Sequence, residues 1–162
     1  MRNLDLNPDL RPRVVPVNAA VSGEDGLIDV KHGGTIDGCA SAHGRGPLIT
    51  RVRSVRLSTL IKELGSTGVD PAKFRVRALK ADCKGCEYEL VRDDALRLFD
   101  VVKIEYSGYL VNKTYRELLE RLEAGGFKCR IWAHNDVALK LGLDRHGMLT
   151  CVKEGGTAAA VW

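Results

Sequence analysis

The sequence predicts an α/β layered domain, and three observations carry that prediction. Residues 74–82, FRVRALKAD, place Phe74, Val76 and Ala78 at period two, and residues 101–106, VVKIEY, form a short β-branched run, so both segments read as strands. Between them, residues 88–99, YELVRDDALRLF, carry apolar side chains at helical spacing. A β-α-β unit of this kind predicts parallel strands joined by a right-handed crossover. The third observation is the segment TYRELLERLEAGGF, in which Thr114 and Glu117 fit a T-x-x-E capping box. Tyr115, Leu118, Leu119 and Leu122 then fall at i, i+3, i+4 and i+7, and Gly125 or Gly126 ends the helix.

The remaining elements follow in chain order. Residues 14–21, VVPVNAAV, read as a strand and turn, and residues 26–30, GLIDV, as a short strand. The next segment, KHGGTIDGCASAHGRG, is rich in glycine and small polar residues and reads as a loop. Residues 49–57, ITRVRSVRL, alternate charged and apolar side chains and form a further strand. STLIKELG follows as a short helix, with Ser58 or Thr59 as its cap and Gly65 as its stop. Beyond the long helix, residues 128–134 and 148–153 read as strands, joined by a connection with about one helical turn. One domain is therefore expected over residues 1–153, with residues 154–162 as a loose tail from which Trp162 could dock on the core.

Composition narrows the class. A chain of 162 residues can bury about two thirds of its unfolded surface, so no metal or disulfide staple is required for a core. Its apolar content excludes disorder, and no apolar run exceeds about five residues where a membrane helix needs about twenty. The opening MRNLDLNPDLRPR shows no secretory h-region, which makes the cytoplasm the expected compartment. Cys39, Cys83, Cys86, Cys129 and Cys151 are an odd count without an export signal, so free thiols are expected. The net charge of +4 is local. No Asp or Glu occurs in residues 38–62, which hold Arg45, Arg51, Arg53, Arg56 and Lys62. That stripe reads as a solvated edge strand or as the footprint of an anionic partner, RNA or an acidic protein, that would make the chain a non-catalytic binding module. The stripe has no interleaved aromatics for base stacking, which disfavours nucleic acid.

The densest chemistry lies in LKADCKGCEYEL, where a strand ends at Asp82 and a glycine-containing turn leads into a helix through Glu87. Ligands of open α/β sheets bind at the carboxyl ends of strands. Glu105 ends the companion strand, so neighbouring strands would set Asp82 and Glu105 side by side as an acid/base pair or a cation holder. The alternative is that Asp82 caps the following helix and that Glu105 pairs with Lys84 or Lys103. Cys83 and Cys86 form C-K-G-C, which reads as two buried thiols, as a thioredoxin-like redox motif, or as half of a zinc site needing His134, Cys129 or Cys151. His134, ending a strand near the same crevice, is a candidate base or a surface histidine. LIDVKHGGTIDG imitates a nucleotide loop, but the acid expected about twenty residues later falls in the acid-free stretch.

Taken together, LKADCKGCEYELV, VVKIEYSGY and LEAGGFKC resemble the second half of the FkbM-type S-adenosylmethionine-dependent methyltransferases. Lys80, Asp82, Gly85 and Glu87 match the family's K-x-D-x-E-G-x-E, as Ile104 and Glu105 match its strand ending in I-E, while Lys84 stands where the family usually has Glu. VNAAVSGEDGLIDV and VRSVRLSTLIKELG resemble the segments after its third strand and before its fourth. The resemblance implies S-adenosylmethionine as cofactor, bound by Asn18, Ala19, Asp82 and Glu87, and O-methylation of a small-molecule or glycan hydroxyl with Asp82, Glu105 and His134 as catalytic residues. It implies no metal. The family's D-x-G-x-x-x-G donor loop precedes the matched region, so the expected fold is an incomplete class I, Rossmann-like sheet, mostly parallel with a C-terminal antiparallel hairpin. Its strand-four edge would be covered by a homo-oligomer or another partner.

Overall fold

The structure, a computed structural model, describes residues 2–33, 41–44, 46–70, 73–133 and 135–155. Its elements are α1 (Arg2–Asp5), a 3-10 turn (Pro8–Arg13), β1 (Ala20–Val21), β2 (Gly26–His32), β3 (Leu48–Val55), α2 (Leu57–Ser66), β4 (Ala78–Ala81), α3 (Glu87–Leu90), a second 3-10 turn (Asp94–Leu98), β5 (Val101–Ser107), α4 (Gly108–Val111), α5 (Tyr115–Ala124), β6 (Phe127–Trp132), α6 (Asp136–Leu141) and β7 (His146–Lys153). The fold class is α/β, as expected. The sheets, however, are mixed rather than mostly parallel. A three-stranded sheet runs β1-β3-β2 and a four-stranded sheet runs β4-β5-β7-β6. Among the described residues only β1/β3 and β4/β5 pair in parallel, while β2/β3, β5/β7 and β6/β7 are antiparallel. The C-terminal pair β6/β7 supplies the expected antiparallel strands, and β7 is inserted between β5 and β6.

The core lies around β5 and β7. Val102, Ile104 and Tyr106 alternate along β5 and are fully buried, as period two requires of one sheet face. Leu118 and Leu122, one turn apart on α5, are fully buried too, each contributing about 2 kcal/mol by removal from water. The Tyr106 hydroxyl donates to the Leu143 carbonyl, and burial pushes its pKa up to about 12. No helix among the described residues is long and apolar enough to cross a membrane.

Several elements differ from their sequence patterns for identifiable reasons. The helix expected over residues 88–99 is broken into α3 and a 3-10 turn because Asp93 caps the second piece, accepting a hydrogen bond from Ala95 N at 2.9 Å. Asp93 also accepts from Ser58 N and Ser58 Oγ, so Ser58 anchors α2 to this turn, and Arg56 occupies the cap position. Gly65 lies inside α2, whose C-cap is Thr67. Thr114 caps α5 by position, but its side chain makes no capping bond and Glu117 instead faces Lys113 Nζ at 3.3 Å. The expected strand over residues 74–82 shortens to β4, preceded by a clasp in which Arg77 N donates to the Asp100 carboxylate and Asp100 N to the Arg77 carbonyl. Of residues 14–21, only β1 pairs. Val14, Val15 and Val17 are exposed, and Pro16 lacks the N–H that a ladder needs.

The expectation of free thiols is corrected for four cysteines. Cys83 is joined to Cys86, and Cys129 to Cys151, as disulfides. The second link follows from register, because Cys129 and Cys151 are direct partners across β6 and β7. Cys39, Arg45, His134, Trp162 and half of the glycine-rich segment lie outside the described residues.

Candidate functional site

The site begins with the register of β4 on β5. Ala81 faces Ile104, so Asp82, just past the end of β4, comes to lie beside Glu105, which does not end its strand as expected because β5 runs on to Ser107 against β7. Of the expected alternatives, the pairing of Glu105 with Lys84 is present, whereas Asp82 does not cap α3, whose N-cap is Cys86 without a side-chain bond. The two carboxylates are neighbours, and Lys84 joins them, with Nζ 3.0 Å from Asp82 Oδ1 and 2.9 Å from Glu105 Oε1. Burial works against the ammonium, but its bonds to Glu105 and then Asp82 prevail and raise its pKa above the usual lysine value.

The chain reaches this geometry through a left-handed turn. Lys84 has φ 54° and Gly85 φ 115°. The first is uncommon for a residue with a side chain, and the second strongly favours glycine. A Cβ on Gly85 would lie 2.7 Å from His43 Cδ2. Three further bonds hold the turn. Glu87 accepts from Cys83 N at 3.2 Å and from Gly85 N at 2.7 Å, and Ser41 Oγ donates to the Lys84 carbonyl at 2.6 Å. Glu87 is fully buried, and desolvation raises its pKa against the opposing effect of those backbone donors.

A cavity of about 460 Å³ opens between this turn and the three-stranded sheet, lined among others by Asn18, Ala19, Asp82, Cys83, Cys86 and Glu89. Of the residues named from sequence, it gathers Asn18, Ala19 and Asp82. Glu105 does not line it and is linked to its wall through Lys84 and then Asp82, and Glu87 lies beneath the turn as its brace. His134 falls outside the described residues. Sequence reasoning assigned no site role to Ser41, His43 or Glu89, and it named Lys84 only as a partner for Glu105. The signal for Lys84 was its place two residues after Asp82, in the turn that follows β4. Ser41 carried no local signal, because its bond spans 43 residues.

The basic stripe is largely matched by acids. Arg51 pairs with Asp29 at 3.0 Å, Arg53 with Glu63, and Arg56 with Asp93 at 3.5 Å. Among the described residues, no group of three or more His, Cys, Asp or Glu side chains could hold a metal ion. No protein-family model, curated protein or solved structure matches the chain.

Proposed function

We propose that the chain is a methyltransferase-type domain that uses S-adenosylmethionine to methylate a hydroxyl of a small molecule or glycan. The observation that carries this reading is the convergence of Asn18, Ala19 and Asp82 on one cavity, although 63 residues separate Ala19 from Asp82 in sequence. The order β4-β5-β7-β6, with antiparallel β7 between β5 and β6, agrees with the corresponding half of a class I methyltransferase sheet.

The cavity's chemistry fits such a donor. Its volume falls in the usual range for small-molecule sites, about 300–1,000 Å³. Val21, Ile28 and Val52 offer an apolar wall for a base, while Asp82 and Glu89 offer acceptors for hydroxyls or an ammonium. When bound, the donor supplies a methyl group on a positively charged sulfur. The protein's task is then alignment and removal of one proton from the acceptor hydroxyl. In this reading Lys84 fixes the orientation of Asp82 and Glu105, Asp82 lines the donor side, and Glu105 or His134 takes the proton. A partner or second copy along the outer edge of β4 belongs to the same proposal, because no strand among the described residues pairs there.

Titration calorimetry with S-adenosylhomocysteine tests the reading. The expected result is saturable one-to-one binding that Asp82→Ala weakens at least about tenfold, a loss of about 1.4 kcal/mol. No heat from the folded wild-type chain, or equal affinity in the variant, would overturn it.

A further inference from the structure

We propose that Cys83 and Cys86 form a thiol–disulfide exchange site in the cavity wall whose substrates are small thiols and their disulfides. This inference stands apart from the methyl-transfer reading and rests on position, framing and contrast.

Position comes first. Both cysteines line the cavity, and Cys83 is half-buried while Cys86 is buried. Exchange requires a thiolate to reach a disulfide sulfur in line, so access decides which disulfide reacts. Cys129–Cys151 offers the contrast, since it lies within the β6/β7 ladder with Cys151 fully buried.

The framing is independent of the S–S bond. Glu87 bonds Cys83 N and Gly85 N, Ser41 Oγ bonds the Lys84 carbonyl, and Lys84 Nζ bonds Asp82 and Glu105. These contacts bracket the turn from within and from both sides, and they remain when the disulfide opens. The two cysteines, with Cα atoms 5.4 Å apart, therefore stay within reach of each other as thiols. Re-closure is intramolecular and fast relative to capture by a second molecule. Only two residues lie between the cysteines, so opening this ring returns less chain entropy to the unfolded state than opening the Cys129–Cys151 loop would. A bond that contributes less to the fold than Cys129–Cys151 does, in a frame that survives its loss, suits reversible exchange.

The step balances as follows. A thiolate entering the cavity attacks Cys83 Sγ and forms a mixed disulfide. The Cys83–Cys86 bond breaks, its electron pair passes to Cys86 Sγ, and that sulfur takes up a proton. A second small thiol then attacks the mixed disulfide at its own sulfur, releasing Cys83 as a thiol and leaving as the small-molecule disulfide. Two small thiols are oxidised and one protein disulfide is reduced, with two electrons and two protons transferred. The reverse runs when the small disulfide is in excess.

The test uses the folded full chain in graded mixtures of reduced and oxidised glutathione, followed by acid quench, alkylation and peptide mass spectrometry. The Cys83–Cys86 pair is expected to reach half-reduction at an equilibrium constant at least tenfold more permissive than that of Cys129–Cys151, equivalent to about 30 mV for a two-electron couple. Coincident midpoints, reduction of Cys83–Cys86 only in denaturant, or absence of that link from the oxidised folded protein would each overturn the proposal. A second measurement fixes the entry sulfur. With circular dichroism confirming the fold, Cys86→Ser is expected to take up glutathione from its disulfide on Cys83 about tenfold faster than Cys83→Ser does on Cys86. Equal rates, or the reverse order, would overturn Cys83 as the sulfur attacked.

Discussion

The ammonium of Lys84 lies 2.9 Å from Glu105 Oε1, a contact between residues 21 apart in sequence that ties the turn after β4 to β5. Glu105 is largely enclosed, whereas the other partner of Lys84, Asp82, is about one third exposed. Lys84→Ala is expected to cost about 1–3 kcal/mol in urea unfolding at pH 7, because Glu105 loses its counter-charge where water is scarce. Glu105→Gln should cost more than Asp82→Asn, whose exposed carboxylate is better screened. Since folding raises the pKa of Lys84, this contribution is fully present below the ordinary 10.5 and is lost as pH rises through the folded value.

The two disulfides should differ in their effect on stability. Cys129 and Cys151 are 22 residues apart, Cys83 and Cys86 only three. Loop-closure entropy gives about 3 kcal/mol for the first and about 2 kcal/mol for the second. Under non-reducing conditions, the Cys129→Ser/Cys151→Ser protein is therefore expected to unfold at lower urea than the Cys83→Ser/Cys86→Ser protein.

Acid should open the clasp between Arg77 and Asp100. The Arg77 guanidinium and backbone N–H hold the Asp100 carboxyl below its ordinary 3.8. Asp93 is also lowered, burial opposing the shift while bonds from Ala95 and Ser58 prevail. The unfolded chain binds more protons between the lowered values and 3.8, so stability from both groups is present above 3.8 and falls as pH drops below it. Asp100→Asn is expected to cost about 1–2 kcal/mol at pH 7 and to flatten the acid limb of a stability–pH curve.

Tyr88 offers the opposite case. Its hydroxyl is buried without a hydrogen-bond partner among the described residues, as is Ser107 Oγ, and burial raises the Tyr88 pKa above its ordinary 10.0. Removing an unsatisfied buried hydroxyl while keeping the ring should relieve desolvation. Tyr88→Phe is expected to leave the thermal midpoint unchanged or raise it, corresponding to about 0–1 kcal/mol.

Gly85→Ala tests the turn. Its φ of 115° disfavours any side chain, and the added carbon would press on His43 at 2.7 Å and Val111 at 3.1 Å. A loss of about 1–3 kcal/mol is expected by urea unfolding.

Legibility in the sequence followed the range of the forces involved. The leucines of α5 and the β-branched run of β5 declared themselves because burial repeats with the period of the backbone. Asp82 was legible as a strand-end acid for the same reason, whereas Glu105 lies two residues short of the end of β5. The broken helix after α3 was less so, since Asp93 competes for the backbone through its side chain and periodicity does not register that. Ser41 and the Arg77–Asp100 clasp were not legible, because each depends on chain segments that meet only after folding.

Ser41 does more than brace the turn. It also exchanges backbone hydrogen bonds with Lys31 of β2, at 2.9 Å and 3.1 Å, while its hydroxyl holds the Lys84 carbonyl. One small residue thus fastens the three-stranded ribbon to the mouth of the four-stranded sheet. A ligand tugging on β2 would be felt by the Lys84 ammonium, and Ser41→Ala would cut that mechanical line while leaving both sheets intact.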